Sequence, residues 1–190
     1  MPFDLQGTLR RLKPHKRLER ITRRPDSKLA WVSDEPLIGS ALMLDTSVYL
    51  DVLQARTPAA VDELLTYRVC HHSAVCLAEL THVFGRLDPA HASTSGVLQT
   101  VRSVIEDIPP HRLQAPDIAM WGEAGMLAGA LVRLSGAPRG ACHERKYLND
   151  ALIYLQARSI GACVLTGNVG DFDFLNQLAP GVPIILYRQT

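Results

Sequence analysis

Short apolar runs alternate with helical periodicity along most of this chain. Ala41-Leu42-Met43-Leu44 is continuously apolar, the pattern of a strand covered on both faces. It runs into Asp45-Thr46-Ser47, residue types that start helices, and predicts a helix over Val48–Gln54. Pro58–Tyr67 reads as a second helix with a proline in its first turn. His72-Ser73-Ala74-Val75 reads as a second strand, leading into a helix from Cys76 that stops near Gly85. Over Ser93–Ile105, residues Val97, Leu98, Val101, Val104 and Ile105 share one side of a helix, and Pro109-Pro110 ends it. Arg112-Leu113 is a short strand candidate.

The longest helical pattern is Pro116–Leu134. It carries Gly122, Gly125 and Gly129, each costing ~1 kcal/mol against alanine, which predicts a neighbour packed closely against them. After a Pro138–Gly140 loop, Leu148–Ser159 reads as an amphipathic helix beginning near Asp150 and capped by Gly161. Cys163–Thr166 and Ile184–Tyr187 are the remaining strands, with Pro183 just before the last. Strands alternating with helices predict an α/β fold: a largely parallel central sheet with helices on both faces. In such folds ligands bind beyond the C-terminal ends of the strands.

Residues 1–40 read as a basic N-terminal extension, and 41–190 as the body. The extension predicts a basic helix over Thr8–Arg24, interrupted at Pro14, with Leu9, Leu12, Leu18 and Ile21 on one face. It carries nine Lys and Arg against five Asp and Glu, whereas the body carries eleven against fourteen. A basic arm on a mildly acidic body either attracts a polyanion or is a solvated tail. Hydrophobic residues make up 47% of the chain, too many for a disordered protein. The longest apolar stretch, Ala124–Val132, falls short of the roughly 20 residues a membrane span needs. The N-terminus has no apolar run after Arg10 and Arg11, so the expectation is a cytoplasmic protein without a membrane anchor. The cysteines Cys70, Cys76, Cys142 and Cys163 form no C-x-x-C pair, and His71-His72 belongs to no metal-binding pattern. Free thiols and no zinc site are expected.

Three acidic residues fall where this fold does its chemistry. Asp45 follows the first strand, Glu79 lies at the helix start after the second, and Asp171 lies shortly after Thr166. Asp150, in the first turn of its helix, can face the same end. Each alone is explained by the attraction of helix N-termini for acidic residues. Together, four carboxylates at one end of a sheet repel one another and raise each other's pKa values unless a cation joins them. A hard divalent ion with oxygen ligands, Mg²⁺ or Mn²⁺, is the natural one.

The segment Leu42-Met43-Leu44-Asp45-Thr46-Ser47-Val48-Tyr49-Leu50-Asp51 resembles the opening motif of PIN domains. Leu77-Ala78-Glu79-Leu80 resembles their second acidic site. Asn149-Asp150-Ala151-Leu152-Ile153, with Ala157, Gly161 and Val164-Leu165-Thr166, resembles the third. Thr166-Gly167-Asn168-Val169-Gly170-Asp171-Phe172 resembles the closing T-x-N-x-x-D-F motif. The order of motifs, over about residues 41–187, is similar to that of VapC-type toxin ribonucleases. The resemblance implies a three-layer PIN-like fold and a metal-dependent endoribonuclease that hydrolyses RNA phosphodiester bonds. It implies Mg²⁺ or Mn²⁺ held by Asp45, Glu79, Asp150 and Asp171, the catalytic and metal-binding set. Thr46, Ser47, Thr166 and Asn168 would support the ligands from behind. It also implies a small antitoxin partner and a homodimer.

Some details depart from the pattern or stay open. The forty-residue extension is extra. Asp173 is an alternative ligand to Asp171, Glu144 could join the site, and Asp51 is expected on the surface, away from Asp45. Other functions remain open: an RNA-processing or structure-specific nuclease of the same fold, its basic arm gripping substrate, or a non-catalytic PIN-like interaction module.

Overall fold

The computed structural model describes residues 3–136 and 141–190. The Pro138–Gly140 loop and the Cys142 side chain expected from the sequence lie outside the described residues. Five strands form one sheet in the order β3-β2-β1-β4-β5: β1 Leu42–Leu44, β2 Cys70–Ser73, β3 Leu113–Gln114, β4 Cys163–Thr166 and β5 Ile184–Leu186. Every pairing is parallel. Among the described residues, eight α-helices flank the sheet: α1 Leu5–Leu12, α2 Thr46–Leu53, α3 Ala59–Tyr67, α4 Ala74–Arg86, α5 Thr94–Glu106, α6 Ile118–Leu134, α7 Ala141–Ile160 and α8 Val169–Leu178. The α/β fold with a parallel sheet is the one expected.

The chain builds from β1 through β2 to β3 on one side, then crosses to β4 and β5 on the other. The connections therefore diverge between β1 and β4. A parallel sheet opens a crevice at such a reversal, beyond the C-terminal ends of the strands. The two central strands are buried throughout, so they are short and wholly apolar up to the residues that point into that crevice.

Helix α7 is the central pillar, packed against β1, β4, α6 and α8. Residues Asp150 to Ala157 are all buried, so the amphipathic helix expected over Leu148–Ser159 has no polar face there. Gln156, the polar residue inside that run, accepts from Ser73 Oγ (2.5 Å) and donates to the Gln114 carbonyl (2.8 Å), joining the ends of β2 and β3. Because α7 starts at Ala141, Asp150 sits mid-helix and not in the first turn.

Three further expectations are corrected. Strand β2 begins at Cys70 and ends at Ser73, whose hydroxyl accepts from Val75 N and caps α4; a capping serine is a stop signal for the strand. Helix α8 was not expected. Of the α6 glycines, only Gly122 is closely packed: a Cβ there would collide with the Phe3 ring, while Gly125 and Gly129 face open space.

The extension is helical only in α1 and is not the long basic helix expected. Lys13 adopts a left-handed backbone, Pro14 opens a 3-10 turn, and two further 3-10 turns, Asp26–Lys28 and Val32–Asp34, interrupt the irregular chain beyond it. Leu12 reaches the core but Leu18 is 84% exposed, so the expected apolar face is broken. The segment straps the body. Ile21 N donates to the Leu134 carbonyl (2.9 Å) and Leu186 N to the Ala30 carbonyl (3.0 Å), and Trp31 bridges Leu186 in parallel at the sheet edge. Its arginines are largely engaged. Arg11 pairs with buried Glu123 (2.7 Å), Arg17 donates to the Leu178 carbonyl (2.8 Å) and Arg24 pairs with buried Asp173 (2.5 Å). Among the described residues, no helix is long and apolar enough to cross a membrane, and Cys70, Cys76 and Cys163 are free thiols.

Candidate functional site

Beyond the ends of β1 and β4 lies a cleft of about 770 Å³, with Asp45, Glu79 and Asp150 among its lining residues. Asp45 takes over where β1 ends. It is the N-cap of α2, 3% exposed, and its Oδ2 accepts from Ser47 Oγ (2.6 Å) and Thr166 Oγ1 (2.7 Å). Ser47 Oγ in turn accepts from Gly167 N (3.0 Å), and Thr166 Oγ1 from Asn168 N (2.8 Å). The first turn of α2 and the turn after β4 are thus laced together around one carboxylate.

Asn168 carries the network on. Its amide donates to Asp150 Oδ2 and to Asp171 Oδ2, both at 3.1 Å. Glu79, on α4, accepts from the Thr46 hydroxyl and from Asn149 Nδ2 (2.7 Å). Four elements, α2, α4, α7 and α8, each contribute one of the expected carboxylates. Thr46, Ser47, Thr166 and Asn168 all touch them. Asp171 is reached through Asn168 and Lys146.

The electrostatics follow from burial. Burial raises the pKa of Asp45, against hydrogen bonds from Ser47, Thr166 and backbone N–H groups. Asp150 is raised further, first by burial and then by the charges of Asp45 and Asp171, with Lys146 offsetting part. Lys146 Nζ lies 2.7 Å from Asp171 Oδ2. Burial works against its charge, but the bond to Asp171 and the charges of Asp171, Asp150 and Asp45 outweigh it, and its pKa is raised.

Among the described residues, no three His, Cys, Asp or Glu side chains stand arranged as a ready metal cage. The Asn168 amide bridges Asp150 and Asp171, and Lys146 holds Asp171. The donor set itself fits a hard divalent cation: it is all oxygen, Asp45 and Asp150 are buried, and the charges repel one another, which is the chemistry such an ion relieves.

Several residues around the site were not singled out from the sequence. Asn149 orients Glu79, and Lys146 lies one turn before Asp150 on the same face; an earlier start for α7 would have put both in view. His82, Arg86 and Arg145 add basic groups to the cleft, and Leu50 and Val83 add apolar surface. Their wall is formed by helices that meet only in the fold.

Three expectations about neighbouring acids are settled differently. Asp51 is 1% exposed and lines the cleft, bound by Tyr187 Oη (2.9 Å) and Gln189 Nε2 (2.8 Å); it is not a surface residue. Asp173, the alternative ligand, is turned to the extension. Its oxygens accept from Arg24 N (2.8 Å), Arg24 Nε (2.5 Å) and Gln177 Nε2 (2.9 Å), and it is not among the residues lining the cleft. Glu144 is exposed near the start of α7.

No family model matches the chain, and no curated protein matches it. Solved structures do. A chain of VapBC2 from Rickettsia felis, bound to a DNA fragment from their promoter, superposes with a TM-score of 0.53 and 16% identity, over 77% of this chain and 98% of that one. DNA-bound VapBC from Salmonella typhimurium gives 0.52 and 21%, over 78% and 98%. FitAcB from Neisseria gonorrhoeae gives 0.53 and 19%, over 76% and 96%.

The chain has the PIN-domain fold. The PIN fold spans nearly the whole of each neighbour, and about a quarter of this chain lies beyond what they match.

Proposed function

We propose that this protein is a metal-dependent endoribonuclease, hydrolysing RNA phosphodiester bonds as the toxin of a toxin–antitoxin pair. The observation that carries the reading is the carboxylate set: Asp45, Glu79 and Asp150 line one cleft, Asp171 is tied to Asp150 through Asn168, and Thr46, Ser47 and Thr166 lace the rest. A fold gains nothing from burying like charges together, and this supports a reading in which the cluster serves to hold a cation.

Asp45, Glu79, Asp150 and Asp171 would hold Mg²⁺ or Mn²⁺. The ion would supply a bound water of lowered pKa and positive charge for the phosphate. Asp45, fixed by two hydroxyl donors, presents its other oxygen without rotating. Glu79, held at both oxygens by Thr46 and Asn149, is placed to orient the attacking water and accept its proton. Lys146, Arg145 and Arg86 put positive charge along the same cleft, where it would receive the phosphates of a single strand.

The neighbours come from VapBC and FitAB complexes, three of them with DNA. That likeness supports a small antitoxin as partner; a homodimer and a cytoplasmic setting belong to the proposal alone. The experiment is cleavage of a broad RNA panel in added Mg²⁺ or Mn²⁺ by wild type and Asp45→Asn. Wild-type cleavage lost to chelator and reduced at least 100-fold in the variant is expected. Full activity of Asp45→Asn in Mg²⁺ would remove the site assignment, and no cleavage by wild type would leave an interaction module.

A further inference from the structure

Behind the carboxylates, Tyr187 joins the two segments that support them. It is fully buried at the end of β5. Its backbone N–H donates to the Thr166 carbonyl (3.2 Å). Its ring lies against Gly167 so closely that a Cβ there would stand 3.1 Å from Cζ. Its hydroxyl donates to Asp51 Oδ2 (2.9 Å). Asp51 lies one turn beyond Ser47 on α2, and i, i+4 residues share a helix face. Tyr187 thus touches both the Thr166-Gly167-Asn168 turn and the helix that opens with Asp45-Thr46-Ser47.

Those two segments fix Asp45. Thr166 and Ser47 both donate to its Oδ2, and Gly167 N donates to Ser47. A shift of the turn relative to α2 would lengthen the two bonds that cross between them, Thr166 to Asp45 and Gly167 N to Ser47. The tyrosine is itself well anchored. Gln189 donates to Asp51 from the same tail (2.8 Å), Arg188 pairs with Asp26 of the extension (2.6 Å) and stacks over Trp31, and Thr190 N donates to the Arg56 carbonyl (3.1 Å). Asp51 is a buried carboxylate with no part in the proposed ligand set. Burying it costs free energy that only its partners offset. Positioning Tyr187 gives that cost a function.

We infer that Tyr187, held by Asp51, is a positioning residue that sets the relative placement of α2 and the β4–α8 turn, and so the geometry of Asp45 as a metal ligand. The inference rests on the metal-dependent reading above. Removing a partner of a metal ligand typically weakens metal binding 10- to 100-fold; one step further out, about tenfold is expected.

The test is the Mn²⁺ dissociation constant of the full chain by titration calorimetry, with the metal-free melting temperature of each variant. Tyr187→Phe keeps the ring against Gly167 and removes only the hydroxyl. It should bind Mn²⁺ about tenfold more weakly while still melting cooperatively. Asp51→Asn should weaken binding less, and the double variant should be no worse than Tyr187→Phe, because both act through one contact. Asp51→Asn alone carries the test should Tyr187→Phe not fold. Wild-type affinity in Tyr187→Phe and Asp51→Asn, with binding lost in Asp45→Asn, overturns the inference and leaves the metal site standing. Lowered melting temperatures with unchanged affinity overturn it equally, since they mark a purely structural role. No Mn²⁺ binding by wild type, or unchanged binding in Asp45→Asn, overturns the metal reading and this inference with it.

Discussion

Individual side chains do two kinds of work around this sheet, and pH separates them. His72 on β2 lies with Nδ1 2.6 Å from the Tyr49 hydroxyl. Burial, then the charges of His71 and Arg112, lower its pKa to about 4. In the unfolded chain the ordinary value is 6.5. Between those two values the unfolded state binds the extra proton, so this contribution to stability is present above pH 6.5 and is lost as the pH falls towards 4. The wild type should lose stability relative to His72→Gln over that window, measured as the difference in their melting temperatures at each pH. A difference that stays constant from pH 7 to 4 would mean the imidazole is not held neutral. Asp45 and Asp150 shift the opposite way from a stabilising carboxylate: burial raises them, so their ionised forms weigh against the metal-free fold at neutral pH. Carboxylates raised in this way within a cleft are in keeping with the chemical role proposed for them.

At the scale of elements, local chemistry decided which parts were readable from the chain. Strands β1 and β4 were legible because each is an apolar run closed by a helix-starting or turn-forming residue, and β5 because its apolar run follows Pro183. Asp45, Glu79 and Asp171 were legible for the same reason, since position after a strand fixes the end of the sheet they face. Asp150 was placed in the right cleft for the wrong reason: it sits mid-helix in α7, whose start at Ala141 lies beside a Pro- and Gly-rich stretch that reads as loop. Helix α8 was missed because its polar side points at the extension: Asp173, Asn176 and Gln177 all bond to partners there or nearby. Tertiary contact, not periodicity, defines that helix. The extension was misread because its arginines looked free, and several are structural. Arg24 is the clearest case, with Asp173 wholly buried beneath it. Arg24→Ala strands that carboxylate and should cost about 3 kcal/mol, the low end for breaking a buried pair because the arginine is itself partly exposed. Urea unfolding measures it. A change under 0.5 kcal/mol would show that the strap contributes nothing at this point.

For the molecule as a whole, the topology does the positioning. A sheet that reverses direction between β1 and β4 brings Asp45 beside Asn168, and the central helix α7 brings Asp150 between them. The extension then closes the far edge at β5 and fixes the tail that carries Tyr187. Stability is gathered at the sheet edges and the strap, and repulsion at the cleft. The most direct test of that division is thermal melting of the chelator-treated protein at neutral pH, with and without millimolar Mn²⁺, for wild type and Asp150→Asn. Mn²⁺ should raise the wild-type melting temperature, by about 2.7 kcal/mol of stability once free metal reaches roughly 100 times its dissociation constant. Asp150→Asn should melt higher than wild type without metal, because one buried like charge is gone, and should gain little when metal is added. A wild-type curve unmoved by Mn²⁺, or a variant that gains as much as wild type, would contradict the account.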